Sequence, residues 1–471
     1  MKGKEFKDKI AGIFAKCSDF AIRESTISSG ESFYVIYIIN LCEKQYVTEG
    51  ILKSLCCNDL HLDKRSIPRI LSALPLSQCD DIASAVEKLL SGNAVICGGK
   101  EELFAFAVDS KNESGRSISE PDSEAVIRGP RQGFVESAEM NVTLLRKIIK
   151  SPNLKVENMK FGKYTDTTVK IMYYEGIVRQ DIVDTLVKRL NSIKLNSCID
   201  SGYIERCLQA NRFGLFSEVG NSEKPDKVAA KILSGRIAII CDGSPVVLTA
   251  PYLFIESLQS SEDYLKNLYY ANFVRVLRFL GALITLYLPA IYVAVTGFHK
   301  GALPYPMHMA QLRARGNIPF DIFTELLIVL IIFELIREVG IRMPKAVGDA
   351  VGIVGGLILG DAAIKAGIAS ETIIMIAALT AICNFMNPTY MNISVPIRFV
   401  NLILAKSLGF LGIAAGFIMI LTVMCSLKSF GIPFMSPLAP TKDNLLYDSL
   451  ILNSDKALTK EKYELSKNGK R

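Results

Sequence analysis

VGDAVGIVGGLILGDAAIKAG, Val347 to Gly367, is the stretch from which the rest of the chain is read. Gly348, Gly352, Gly356 and Gly360 recur at every fourth position. On a helix this spacing makes a ridge without side chains, against which another backbone can lie closely. In water each interior glycine costs up to about 1 kcal/mol relative to alanine. So many in one short helix point to a bilayer, where close helix contact offsets the cost. We read this helix as the tightly packed centre of a membrane domain.

Outward from it, residues 267–430 carry long apolar runs broken by short polar turns, whereas the first 270 residues have charges throughout. The pattern predicts an α/β soluble N-terminal region of two duplicated subdomains plus an α-helical transmembrane bundle of four to five segments. The expected parts are an N-terminal α/β subdomain (1–125), a linker helix (126–155), a second α/β subdomain (156–266), a transmembrane domain (267–430) and a polar C-terminal tail (431–471).

The membrane half reads as follows. NFVRVLRFLGALITLYLPAIYVAVTGF (272–298) exceeds the ~20 residues that cross a hydrocarbon core. Arg275 and Arg278 at its start place that end on the cytoplasmic side, and Pro289 is expected to kink it. In FDIFTELLIVLIIFELIREVGIRMPK, Glu325, Glu334, Arg337 and Glu338 lie in or beside an apolar run. An ionised group at mid-bilayer costs about 2.5–3.5 kcal/mol, so these groups face protein, water or the interface. Glu334 and Arg337, one turn apart, form a candidate pair. They mark either a hydrophilic path or subunit contact, or simply emergence at the interface; Glu325 is the intramembrane candidate. Asp349 and Asp361, at the ends of the glycine-ridged helix, are either interfacial or cation-attracting. Asn384, Asn387 and Pro388 break the next run, Glu371 to Met391, which is expected to be re-entrant. The last run, from Pro396 to Leu427, is expected to be one tilted span. Five apolar segments leave two options: one is re-entrant, or the lysine-rich tail lies outside.

The soluble half contains a repeat. YIINLCEKQYVTEGILKSL (Tyr37 to Leu55) aligns without a gap with MYYEGIVRQDIVDTLVKRL (Met172 to Leu190). IASAVEKLLSGNAVICGGKEELFAFAV (Ile82 to Val108) likewise resembles KVAAKILSGRIAIICDGSPVVLTA (Lys227 to Ala250). Both of the latter read as helix, Ser-Gly stop, strand, glycine turn, strand, with Gly92 and Gly235 as helix stops. An opening helix from about Glu5 to Phe20 precedes the strand Phe33 to Asn40. Between the repeats, Arg128-Gly129-Pro130-Arg131 precedes a helix reaching about Lys150. It is either a turn with solvated arginines or an anion or partner contact at the helix start.

The net charge of +7 is mild for 471 residues, and the basic groups are scattered without interleaved aromatics, which argues against nucleic acid. MKGKEFKDKIAGIFAKCSDF lacks a signal-peptide core, so the soluble part is expected in the cytoplasm. Eleven dispersed cysteines without a C-x-x-C pair fit reduced thiols. His61, His299 and His308 are not spaced with them as zinc ligands would be, so no metal is expected. No phosphate loop, nucleophile elbow or H-E-x-x-H occurs, so neither catalysis nor a cofactor is expected.

RGPRQGFVES, SPNLKVE, DSGYIE, EKPDKVAAKILSGRIAIICDGSP, LPAIYVAVTGFH, FELIREVGIRMPKAVGDAVGIVGG and SFGIPFMSPLAP occur in this order. Together they resemble the A subunits of GerA-type spore germinant receptors. The resemblance implies a multi-pass protein of the inner spore membrane, working with a permease-like B subunit and a C lipoprotein. It implies a homo-oligomer that opens as a ligand-gated channel for monovalent cations. Arg128, Gly129, Pro130, Arg131, Phe134, Pro289, Glu334, Arg337, Gly340, Arg342 and Pro344 match family-typical positions, none of them catalytic. The alternatives are a solute transporter component and a membrane signalling scaffold without a pore.

Overall fold

The computed structural model describes residues 3–27, 31–57, 61–72, 74–99, 103–111, 124, 128–210, 214–316, 318–342, 356, 358–440, 448–449 and 451–452. They form two units. One takes the described residues up to Tyr252 together with Lys428–Ile432; the other takes Leu253–Leu427 and those from Pro433 onward.

The first unit holds two five-stranded antiparallel sheets. β1 (Phe20–Thr26), β2 (Ser32–Ile38), β3 (Leu76–Gln78), β4 (Asn93–Gly98) and β5 (Phe104–Asp109) are ordered β1-β2-β4-β5-β3. β6 (Leu154–Phe161), β7 (Thr167–Tyr174), β8 (Gly220–Ser222), β9 (Ile237–Cys241) and β10 (Val247–Ala250) are ordered β6-β7-β9-β10-β8. The second order repeats the first strand for strand, as a duplication requires.

β2 explains why its sequence is apolar without alternation. Tyr34, Ile36 and Ile38 enter one core with Phe6, Ile10 and Leu89. Phe33, Val35 and Tyr37 enter another with Val47, Ile51 and Ile67. Side chains alternate across a strand, so a sheet covered on both faces needs apolar residues at every position. The glycine turns lie where the pattern put them. Gly92, Gly99, Gly235 and Gly243 all have φ between 87° and 101°, a region that side chains rarely adopt.

The opening helix stops at Ile13 and does not reach Phe20. Lys16 takes a φ of 64°, the chain reverses, and the Phe14 and Phe20 rings stack 4.7 Å apart. Phe20 then begins β1, a polar edge strand that helical spacing concealed. β6 is the matching edge strand and was equally unforeseen.

The two sheets meet through an ion pair. Arg146, on helix Ala138–Ile148, donates from Nε to Asp19 Oδ2 (2.8 Å) and from Nη2 to Asp19 Oδ1 (3.0 Å). Beside it, Ser18 N donates to Val156 O (2.8 Å) and Lys155 Nζ to Ile13 O (3.0 Å).

The second unit is helical. Ala290, Ala294, Leu326, Leu330, Ile373, Ala377, Leu402 and Ala405 form its core, the alanines letting helices approach closely. Among the described residues one helix, Leu268–Phe298, is long and apolar enough to cross a membrane. The pair Glu371–Phe385 and Pro388–Leu408, bent by 110°, adds a second if it is one span. The break falls at Asn387-Pro388, where the sequence interrupts this apolar run. The last run is not one span: Gly409, at φ 59°, divides it into Met391–Leu408 and Phe410–Ser426. A side chain on Gly409 would meet the Phe298 ring at 3.1 Å, so the helix turns where only glycine fits.

Candidate functional site

The functional candidates are charges held inside the helical unit. Helix Leu268–Phe298 begins after two short turns, Phe254–Leu258 and Ser261–Tyr264, and is continuous through Pro289. Arg275 and Arg278 are engaged by acids. Arg275 Nε donates to Asp263 Oδ2 (3.1 Å) and its Nη1 to Asp448 Oδ1 (2.9 Å), while Arg278 donates to both oxygens of Asp263. Burial would raise the Asp263 carboxyl, but Arg278 and Arg275 outweigh it and hold it below the usual carboxylate range. Tail residue Asp448 also accepts from Tyr264 Oη (2.7 Å), and Leu452 exchanges hydrogen bonds with Asn272. Part of the polar tail is thus a structural piece of this unit.

Glu325 is wholly buried near the start of helix Ile322–Arg342. Its Oε1 accepts from Ser370 N (2.6 Å) and Ser370 Oγ (2.7 Å), and its Oε2 accepts from Arg315 Nε (3.2 Å). Ser370 is the N-cap of helix Glu371–Phe385, so this carboxylate faces a helix N-terminus, where unpaired N–H groups and the dipole favour negative charge. The charge is stabilised on both sides.

Glu334 and Arg337 pair as their spacing predicts, at 2.7 Å, and Glu334 also accepts from Arg398 on Met391–Leu408. Arg398 is 2% exposed, and among the described residues its Nε, with Nε and Nη1 of Arg337, has no acceptor. One carboxylate therefore serves two guanidinium groups. Spacing on one helix revealed the Glu334–Arg337 pair; nothing local revealed Arg398 or Ser370 as partners.

The other predicted residues are dispersed. Asp361 is exposed and paired with Lys365 (2.6 Å), and Arg342 is exposed and paired with Glu338. Among the described residues, nothing lies within 4 Å of where a Cβ on Gly356 or Gly340 would be, and one on Gly360 would meet Ile374 at 3.8 Å. Pro344, Gly348, Asp349 and Gly352 lie outside the described residues. Arg128, Gly129, Pro130 and Arg131 are exposed and precede helix Ala138–Ile148 by several residues, so they are not at its N-terminus. Phe134 is a core residue, packed with Ala138, Val142 and Val228. Among the described residues no group of His, Cys, Asp and Glu could hold a metal ion.

The sequence profile of the Bacillus/Clostridium GerA spore germination proteins matches residues 8–462. Spore germination protein KA of Bacillus subtilis (strain 168) is 40% identical over 442 residues, covering 92% of this chain and 81% of that protein. The uncharacterized membrane protein YfkQ of the same organism is 33% identical over 454 residues, covering 95% and 88%. The crystal structure of the N-terminal domain of the A subunit of the Bacillus megaterium spore germinant receptor GerK3 aligns at 28% identity with a TM-score of 0.41, covering 53% of this chain and 94% of that one. One profile runs through both the sheet-bearing unit and the helices that enclose Glu325 and Arg398, and so the chain belongs to the GerA family of spore germination proteins.

Proposed function

We propose that this chain is the A subunit of a nutrient germinant receptor of the inner spore membrane, with its two α/β subdomains in the cytoplasm. Four to five apolar segments form its membrane domain, and copies assemble into a ligand-gated channel for monovalent cations. A permease-like B subunit and a C lipoprotein complete the receptor. The observation that carries the reading is the set of charges inside the apolar unit: Glu325 at 0% exposure and Arg398 at 2%. Ionised groups are expensive in such surroundings, and where they persist they mark ion paths or contacts between helices.

Two further features support it. Phe273, Leu335, Met375, Ile382, Leu411 and Ile418 are large apolar side chains left exposed on this unit, more than a water-facing surface carries without a partner. Among the described residues nothing lies within 4 Å of where a Cβ on Gly356 would be, which suits a face kept for another copy. On this reading Asp349 or Asp361 sits at a mouth where cations concentrate.

Conductance of the purified, assembled protein in a planar bilayer under a potassium gradient is the test. A potassium current that Gly356→Leu weakens supports the channel. Saturable uptake of a labelled nutrient without current would favour a transporter, and neither activity would favour a scaffold.

A further inference from the structure

After the last apolar helix, Phe410–Ser426, the chain forms a small hairpin of Lys428–Ser429 and Ile432–Pro433. Lys428–Ile432 folds as part of the first unit, although the residues on both sides belong to the second. Ser429 is completely buried there: its Oγ donates to Glu218 O (2.7 Å) and accepts from Tyr252 N (3.0 Å). Phe430, 3% exposed, lies with its ring 4.5 Å from the Arg189 guanidinium. Arg189 Nη1 is itself held by Glu218 Oε2 (2.9 Å) and Leu208 O (3.1 Å), and the other Glu218 oxygen accepts from Ala210 N (3.1 Å). A single residue, Glu218, thus organises the seat with both its backbone and its carboxylate.

The tip is also strained. Phe430 has a φ of 48°, a conformation that is an outlier for a bulky side chain, and Gly431 follows at 87°. A solvent loop of this shape would be served by glycine or asparagine. A phenylalanine there persists only because surrounding contacts over-determine it, and such positions cluster at clamps and switches. The connection is also short. Only Leu427 and Lys428 separate the helix end at Ser426 from buried Ser429, and at about 3.3 Å per residue they reach roughly 10 Å when fully extended. Any movement of the seat beyond the play in these two residues is passed along the chain to the helix end.

We propose that the Ser429–Phe430 tip is the link by which the second α/β subdomain holds the last apolar helix, so that a change of shape at Arg189 and Glu218 is passed to that helix and opens the path for ions. This rests on the receptor reading above. Arg189 clamps the ring by charge and stacking, and Phe430 is the knob that transmits the displacement.

The test uses spores lacking other germinant receptors and carrying the native chain, F430A, F430Y, R189A, the F430A and R189A pair, or no copy. Each is given an equimolar mixture of the L-amino acids with glucose and potassium chloride. Potassium release is timed, and the amount of chain in the membrane fraction is measured. F430A is expected at native amount with release at least about tenfold slower, F430Y near native, and the pair no slower than the slower single variant, since both act through one contact. Native-rate release by F430A at native amount overturns the link, as do losses that multiply in the pair. If F430A does not reach the membrane, R189A decides, because its side chain is 30% exposed and outside the core. Native-rate release by R189A then overturns the link. Spores without any copy that release potassium normally would count against the receptor reading itself.

Discussion

Replacing Asp19 with alanine should weaken the first unit more than any surface change in it. Both side chains of the Asp19–Arg146 pair are 1% exposed, and the contact is bidentate at 2.8 and 3.0 Å. Once the carboxylate is gone, the guanidinium keeps two uncharged neighbours, the Ser151 carbonyl at 3.3 Å and the Cys17 thiol, and remains out of water. A buried charge stripped of its partner costs about 3–5 kcal/mol. That is roughly a hundredfold to several-thousandfold change in the folding equilibrium. The cost should change little with salt, since a buried pair is poorly screened. The chain has no tryptophan, so hydrogen exchange at the amides of β1 and β6, which flank the pair, is a better readout than fluorescence. Asp19→Leu combined with Arg146→Met should recover most of the loss, because packed apolar groups replace a buried ion pair at little or no cost. A loss below about 1 kcal/mol for Asp19→Ala, or a combined variant as weak as the single one, would refute the reasoning.

Partial burial alone would raise the Glu124 carboxyl, but Lys227, the Ser222 hydroxyl and the Glu223 N–H hold it below the ordinary 4.5. A carboxyl lowered in the folded state stabilises above its unfolded pKa, and that stability is lost as pH falls through the folded value. Glu124→Gln should therefore be less stable than the native chain near neutral pH, with the gap closing in acid; denaturation midpoints across pH measure it. Glu325→Gln keeps an acceptor for Ser370 but loses the charge facing Arg315, a cost of about 1.5–3 kcal/mol. Glu325→Ala leaves the Ser370 N–H unpaired as well and should be weaker still, which thermal unfolding in detergent would rank.

The repeat in the first half was legible because each copy is local. β2 and β7 announce themselves by aromatic and β-branched runs, and the β4–β5 and β9–β10 hairpins by glycines at positive φ. β1 and β6 escaped because they are edge strands, whose outer face is polar and whose pairing comes from a neighbour rather than from their own pattern. The last apolar run looked like one span since glycine is common in membrane helices, and only its packing against Phe298 reveals that Gly409 ends a helix. In the candidate site, Glu325 stood out because a charge in an apolar run is costly wherever its partner lies. Seeing it as the partner of Ser370 required the folded chain.

From the sequence alone one can derive the character of each half: charges and alternation for the sheets, uninterrupted apolarity for the helices, and the order of motifs that marks the family. These follow from forces between near neighbours, which act over a few residues and leave a period behind. Only the tertiary structure decided who pairs with whom. Glu325 meets Ser370 across 45 residues, Glu334 meets Arg398 across 64, and Asp19 meets Arg146 across 127. A charge advertises that it needs a partner, but which one it receives depends on where distant elements come to rest, and that is settled by the packing of the whole core.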